Sequence, residues 1–592
     1  MILHSNLPYA LDIPNPALGY LKGFLQSHGI AVKNVYWNLE LSSEISRFNK
    51  TLKAAGDNTF SMEALTVYAW KRLMGIKDRT SLSLLFSSVL TDEEIDDVIF
   101  SLKEKIDRYI LQNNLHREGI HGITVKTYQW LMNWYITSRL KKVNPDITII
   151  LGGATCKEQA EAFMRLIPHI DYAIYGEGEY PLLHLVKTLE SGTMEDRCSS
   201  LVYRGNTLVS TEPCAASEDL DSFAFADHTD YFDAVKSLGL AGMRILIPIW
   251  GSRSCPWNKC SFCVLNEQYQ YRTRTPQNIV AEIEYQAETH DTGDFIFVDT
   301  DVAGNKSRFT TLLTLLVEAS RKRKKPYHFF AEISPLFLTE ETAHLMQLAS
   351  FMSTQMGFEG MADSLLKKME KRHRVVHNIQ ALKIGKRFNL SLDGLNIIRG
   401  IPTESREDIM ESIANVKFVR FLLNTYTLHP STLELYKGSP FYTDMPEESR
   451  QKWRHNRFWE EISSSHLVSE KDRWEFFGFY HEKPSFLWDD FDAALALFTT
   501  QNRSYTWTHY RDGSFIEENG PDVLTYELDN DETDILIFCN SIKSISQIKE
   551  HTRIDEKPLL SILETLHEYG LLFWDGTHVV SVLESSTRRV ST

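Results

Sequence analysis

Three of the seven cysteines fall within nine residues, as Cys255-Pro-Trp-Asn-Lys-Cys260-Ser-Phe-Cys263, while Cys156, Cys198, Cys214 and Cys539 stand alone. Seven cysteines in 592 residues are too few for a disulfide scaffold, so the crowding reads as metal or cluster ligation. Thiolates are the soft ligands that iron–sulfur clusters and zinc both take. A four-iron cluster normally uses four cysteines, so three without a close fourth would leave one iron open to another ligand. A zinc site would need a fourth Cys or His, and the nearest histidines in sequence, His228 and His290, are distant. Spacing alone leaves both readings open.

The triplet directly follows residues 244–250 (RILIPIW), which read as a buried strand. Further strands are expected at DFIFVDT, YHFFAEI, FMSTQMGF, SLDGLNIIRG and NTYTLHP, separated by helices such as PQNIVAEIEYQAE and SLLKKMEK. Six strand–helix units at this spacing imply a parallel (β/α) barrel, full or partial, over residues 241–440, with chemistry at the strand carboxyl ends. Upstream, ITV, PDITIIL and DYAIY alternate with helical stretches, and PALGYLKGFLQSHGIAVKNVYWN fits a first helix and second strand. That alternation predicts an α/β, Rossmann-like domain over 1–205, with a helical insertion at about 40–120. Residues 206–240 read as a polar linker and 441–520 as an aromatic-rich region. Residues 521–592 give three helices and a hairpin turning at Asp575-Gly576, a winged-helix-like pattern.

The chain carries 63 Lys and Arg against 79 Asp and Glu, a net charge of −16, which argues against a nucleic-acid partner. Between Asp531 and Val582 nine acids face four bases, so the tail also reads as a peptide-docking or packing module rather than a DNA reader. The run Arg321–Lys325 (RKRKK) ends a predicted helix and reads as a solvated terminus favourable to the helix dipole. No stretch approaches 18 uninterrupted apolar residues, and MILHSNLPYALDIPNP lacks the parts of a signal peptide. The expectation is a cytoplasmic protein without a membrane span.

On the cysteine triplet and its position the chain resembles the radical S-adenosylmethionine (radical SAM) enzymes, with four residues between the first two cysteines where three are usual. The closer resemblance is to the cobalamin-binding-domain radical SAM proteins that mature ribosomally made peptides (RiPP maturation). Its landmarks run in order: PALGYLKGFLQSHGI, LGGATCKEQAEAF, DYAIYGEGEYPLLHL, FADHTDYFDAV, FIFVDTD, FFAEISP, QMGFEGMADSLLKKMEK with VVHNIQALK, and LNIIRGIPTES. They cover about 500 of the 592 residues.

The resemblance implies a [4Fe–4S] cluster on Cys255, Cys260 and Cys263, whose open iron chelates S-adenosylmethionine. It implies that Phe262, Ile398 and Gly400 pack on the adenine, and that Asp299 or Asp301 meets the methionine amino group. Glu332 and Glu359 would serve the ribose or substrate. Phe262 is equally a core aromatic, and a capped loop is the structural alternative for the two aspartates. Cobalamin would lie against Gly152, Gly153, Gly176 and Gly178; the Asp-x-His-x-x-Gly signature of a lower histidine ligand is absent. Turn glycines of a domain without its cofactor are the other reading.

The activity implied is reductive cleavage of S-adenosylmethionine to a 5′-deoxyadenosyl radical, then C-methylation of an unactivated carbon by a methyltransferase route through cobalamin. The substrate would be a precursor peptide or a natural-product intermediate, with an external electron donor. A non-methylating peptide modification (cyclisation, crosslinking or epimerisation) and an iron–sulfur docking or sensor protein without turnover are the alternatives.

Overall fold

The computed structural model describes residues 1–47, 62–76, 92–126, 129–192, 198–265, 270–455, 467–476, 478–481 and 485–584. Its contacts divide the chain into two units. One comprises residues 1–249, 268–296 and 455–478, the other 250–267, 297–454 and 479–592.

The first unit is built on a seven-stranded sheet. Strand β1 (Ile2–Ser5) leads through α1 (Pro16–Ser27) to β2 (Lys33–Tyr36). Helix α1 starts where Asn15 accepts from the Ala17 N–H and Pro16 takes a position that needs no donor. Two insertion helices, α2 (Met62–Leu73) and α3 (Asp92–Gln112), precede β3 (Ile120–Thr124) and α4 (Trp130–Val143). They dock because Trp70 packs on Trp130 and Trp134, and Leu102, Ile106 and Ile110 form a buried stripe along α3. There follow β4 (Thr148–Ala154), α5 (Lys157–Leu166), β5 (Tyr172–Tyr175), α6 (Glu179–Ser191) and the hairpin β6 (Leu201–Arg204) and β7 (Leu208–Ser210).

The strand order is β2-β1-β3-β4-β5-β6-β7. The first five are parallel and the last two antiparallel. The parallel part has the 2-1-3-4-5 order of a flavodoxin-like sheet, whose ligand crevice lies at the strand carboxyl ends. The hairpin is not legible in the sequence, because its strands are only four and three residues long.

At the crossover point between β1 and β3 the sheet buries two histidines. Trp37 donates to His4 Nδ1 at 2.9 Å, His4 Nε2 lies 2.9 Å from His121 Nδ1, and His121 Nε2 lies 3.1 Å from the Leu115 carbonyl. The indole N–H fixes the order: each imidazole is neutral, accepts at Nδ1 and donates at Nε2. Burial drives the His4 pKa well down and takes His121 to about 4. The unfolded chain therefore takes up protons first as pH falls. Stability from this pair should be full above about 6.5, the unperturbed histidine pKa, and drain away towards the His121 value of about 4. Melting at pH 7.5 and at pH 5 checks this; a Tm that did not fall would contradict the neutral pair.

The second unit carries the later barrel strands. Strands β10 (His328–Ile333), β11 (Phe351–Met356) and β12 (Leu392–Asp393) are parallel neighbours, and β13 (Leu395–Arg399) pairs in parallel with β14 (Leu428–Thr432). The earlier expected strands form as β8 (Ile247–Ile249) and β9 (Asp294–Phe297), with α8 (Pro276–His290) between them and α9 (Lys306–Lys322) after. Phe297, Phe329 and Phe351 stack with centroids 5.4–6.3 Å apart. Arg321 and Lys322 occupy the last turn of α9, as the dipole argument expects.

Helix α10 (Leu487–Gln501) leads into an antiparallel sheet of β15 (Ser504–Tyr510), β16 (Gly513–Asn519) and β17 (Leu524–Leu528). This sheet runs across the boundary drawn at 520. After this sheet come helix Asn530–Phe538, a two-residue strand, helices Ile545–Thr552 and Glu556–Glu568, and the hairpin Leu572–Trp574 with His578–Ser581. Lys383 fastens this tail by donating to the Ser581 carbonyl at 2.6 Å and to Asn540. Among the described residues no helix is long and apolar enough to cross a membrane.

Candidate active site

The cysteine loop is pinned from several sides within the second unit. Asp299, buried just after β9, accepts from the Gly251 N–H at 2.7 Å and the Ser252 hydroxyl at 2.5 Å. Arg308 donates to the carbonyls of Gly251 and Val302, and Thr300 to that of Ser254. Ser254 and Asn258 take left-handed backbone conformations, φ 64° and 50°, which fold the loop back on itself. Further on, the Ser261 N–H meets the Met369 carbonyl at 3.0 Å, the Phe441 N–H meets the Ser261 carbonyl at 2.8 Å, and the Trp257 indole donates to the Glu370 carbonyl.

Cys255, Cys260 and Cys263 form no disulfide and are half-buried. Burial pushes the Cys260 thiol up to about 11 and raises Cys263, with Lys371 opposing both shifts. Among the described residues no three His, Cys, Asp or Glu side chains already stand at metal-holding separations, so binding would have to turn these thiols together. Their number and softness still suit a cluster with one iron left open.

Asp299 and Asp301 both receive backbone donors; Asp301 accepts from the Ala303 N–H at 3.2 Å, and burial lifts its pKa to about 6. The geometry thus shows the capped-loop arrangement that the sequence allowed for. Glu332 lies at the end of β10, open to solvent yet hemmed in by the strand ends. That desolvation and the charges of Glu359 and Asp301 raise its pKa. Glu359 sits at φ 62°, and its carbonyl accepts from the Ile398 N–H at 2.9 Å, which brings two expected site residues together. Gly400 follows, its N–H on Glu404 at 2.7 Å.

Lys371 escaped the sequence reading. Its ammonium lies 3.0 Å from Glu359 and over the Phe262 ring at 5.5 Å, so a half-buried cation joins an acid of the site to the cluster loop. One lysine within KKMEKRHR gives no sequence signal of burial.

Asp299 supports the loop through the Gly251 N–H and the Ser252 hydroxyl. Asp299→Ala should lower cluster retention by about 10–100-fold, the range for outer-shell supports. Iron per chain after gel filtration reads this, and full retention would contradict the anchoring role.

In the first unit, a cavity of about 520 Å³ opens at the ends of β4 and β5, lined by Thr155, Cys156, Tyr175, Gly176, Glu177 and Tyr180 among others. Arg272 pairs with Glu177 at its wall. Gly153 and Gly176 both need left-handed backbone, φ 91° and 76°; a Cβ at Gly153 would meet Thr124 at 3.2 Å, whereas one at Gly176 would face open space. Gly152 pairs with Thr124 and Gly178 caps α6. Gly176 is thus brought to the cavity, whereas Gly152, Gly153 and Gly178 do not line it. Gly176 leaves backbone bare at a strand carboxyl end, a cradle that suits a large planar cofactor.

Residues 251–416 match the family model of the radical SAM superfamily. This stretch is a radical SAM domain. Such a domain implies a [4Fe–4S] cluster and S-adenosylmethionine. An anaerobic magnesium-protoporphyrin IX monomethyl ester cyclase of Rubrivivax gelatinosus is 26% identical over 282 residues, 46% of this chain and 49% of that protein. The chain thus spans about half the length of that relative.

Among solved structures, the radical SAM methyltransferase TsrM of Kitasatospora setae, with cobalamin and a [4Fe–4S] cluster, aligns with a TM-score of 0.56 at 15% identity, over 84% of this chain and 90% of that one. The cobalamin-dependent radical SAM enzyme OxsB, with aqua-cobalamin and S-adenosylmethionine, gives 0.55 at 13%, over 84% and 65%. These likenesses establish the shared architecture: an N-terminal α/β domain joined to a radical SAM domain.

Proposed function

We propose that the protein is a cobalamin-dependent radical SAM enzyme that C-methylates an unactivated carbon of a ribosomal peptide or natural-product intermediate. The observation that carries the reading is one chain joining a three-thiol loop inside a radical SAM domain to a flavodoxin-ordered sheet with a glycine-edged cavity. When bound, the cluster with S-adenosylmethionine supplies a 5′-deoxyadenosyl radical, and cobalamin carries the methyl group.

The chain's own residues hold and orient these groups. Cys255, Cys260 and Cys263 ligate three irons. Phe262, Ile398 and Gly400 bound the adenine, and Asp301, Glu332 and Glu359 face the amino group, ribose or substrate. Gly176 gives cobalamin its closest backbone approach. The C-terminal helices and hairpin form a winged-helix-like module that packs on the radical SAM domain through Lys383 and Arg374.

Anaerobic isolation with cobalamin present should yield protein holding cobalamin and about four irons per chain. Gly176→Val, which adds branches where φ is positive, should cut cobalamin content and leave iron unchanged. A wild-type protein that retains iron but never cobalamin would refute the cobalamin half of the proposal. The cyclase named above favours one alternative, radical chemistry without methyl transfer, which would release deoxyadenosine without S-adenosylhomocysteine.

A further inference from the structure

Against the cysteine loop lies a second cavity, which shares with the site only the groups that pin the loop. This cavity, of about 760 Å³, is lined by Ser261, Lys367, Lys368, Lys452, Trp453 and His481 among others. Ser261 stands between Cys260 and Cys263, so this cavity reaches the back of the loop. Lys259 and Arg372 both lie over the Trp257 ring, at 5.2 and 5.7 Å, and the Trp257 indole bonds to Glu370 on the cavity rim.

Taking the cavity together with the cations over the adjoining Trp257 ring, the exposed cations named here outnumber the exposed acids of the lining. Lys259, Lys367, Arg372 and Lys452 are exposed. Lys368 is neutralised by Asp408, and Glu370 and Asp444 also line the cavity. Lys259, Lys367 and Lys452 make no ion pair among the described residues. In a chain of net charge −16, such a basic and aromatic face set against a cluster loop runs counter to the average surface.

We propose that this face docks a small acidic protein that carries one electron, and that the electron enters the cluster here. The inference rests on the radical SAM reading, whose reductive step takes an electron from outside. In the transfer the carrier is oxidised by one electron and the cluster reduced by one; no bond is made or broken and no proton moves. Complementary charge would raise the encounter rate of such a partner and make it fall with salt.

The test uses the full chain with its cluster reconstituted, a reduced acidic flavodoxin as probe, and dithionite as a small control reductant. Cluster reduction is followed by loss of visible absorbance and by electron paramagnetic resonance. The double variant Lys367→Glu with Lys452→Glu should slow flavodoxin-driven reduction by about tenfold or more and flatten its salt dependence, while dithionite-driven reduction is unchanged. Lys367→Arg with Lys452→Arg should keep the wild-type rate.

Equal flavodoxin-driven rates in wild type and the Glu variant would overturn the proposal. So would a face that binds duplex DNA and leaves the carrier unbound. If dithionite itself failed to reduce any cluster in the wild type, the radical SAM reading would fall, and this proposal with it.

Discussion

Cys260→Ala is expected to abolish both the cluster and the cleavage of S-adenosylmethionine, a loss of more than about 100-fold, the ceiling for outer-shell changes at metal sites. Each of the three thiols is a ligand on the proposed account, and the loop supplies no spare. Cys260 is also the most heavily desolvated of the three, its thiol pushed up to about 11, and removing it leaves the loop no alternative donor. Iron analysis and the charge-transfer absorbance of the reconstituted protein read the first effect, and deoxyadenosine formation reads the second. Cys156→Ala is the control: that thiol lines the cavity of the first unit, so its loss should leave iron content as in the wild type. A Cys260→Ala protein with wild-type iron and turnover would remove the cluster assignment.

The second large effect concerns folding. Glu282 is wholly buried in α8, paired with Arg274, whose side chain is 2% exposed. The same carboxylate accepts from the Ala226 N–H at 3.0 Å and the Tyr20 hydroxyl at 3.1 Å, so α1, the segment before residue 240 and α8 meet on one anion. Glu282→Ala would strand the Arg274 charge and two further donors in the interior. Breaking such a pair costs about 3–5 kcal/mol, far more than an exposed ion pair would. Thermal unfolding followed by circular dichroism should show a marked fall in Tm. Glu282→Gln, which keeps an acceptor for Ala226 and Tyr20, should fall less. Equal and negligible effects from both would mean that the pair does not hold the unit together.

These two cases show which parts of the molecule can be read from sequence. The cysteine loop was legible because its chemistry is local: three soft ligands in nine residues, placed just after an apolar strand. The alternation of short apolar runs and helices likewise gave the strands of both α/β regions, since parallel strands buried on both faces are apolar along their length. The Arg274–Glu282 pair was not legible. Its partners come from different elements, and a Glu within PQNIVAEIEYQAE reads as a solvated position until the fold surrounds it.

Asp299 was singled out for its place at a strand end, but only the fold shows that Gly251 and Ser252 occupy its carboxylate. The sheet of residues 504–528 was hidden for another reason. In SYTWTHY the alternation of Tyr505 and Trp507 with Ser504, Thr506 and Thr508 is short, and only Trp507 is buried, so it was lost within the aromatic-rich stretch around it. Lys371 stands in a run of bases of mixed exposure and is set apart only by Glu359 and Phe262.

The most direct measurement is the product pair. The protein, purified anaerobically and reconstituted with iron, sulfide and cobalamin, is mixed with S-adenosylmethionine, a strong reductant and candidate peptide or small-molecule acceptors, and the products are read by mass spectrometry. The account predicts 5′-deoxyadenosine and S-adenosylhomocysteine together, both absent from Cys260→Ala. Deoxyadenosine alone would contradict methyl transfer, and neither product from a protein that holds its cluster would contradict the radical chemistry itself.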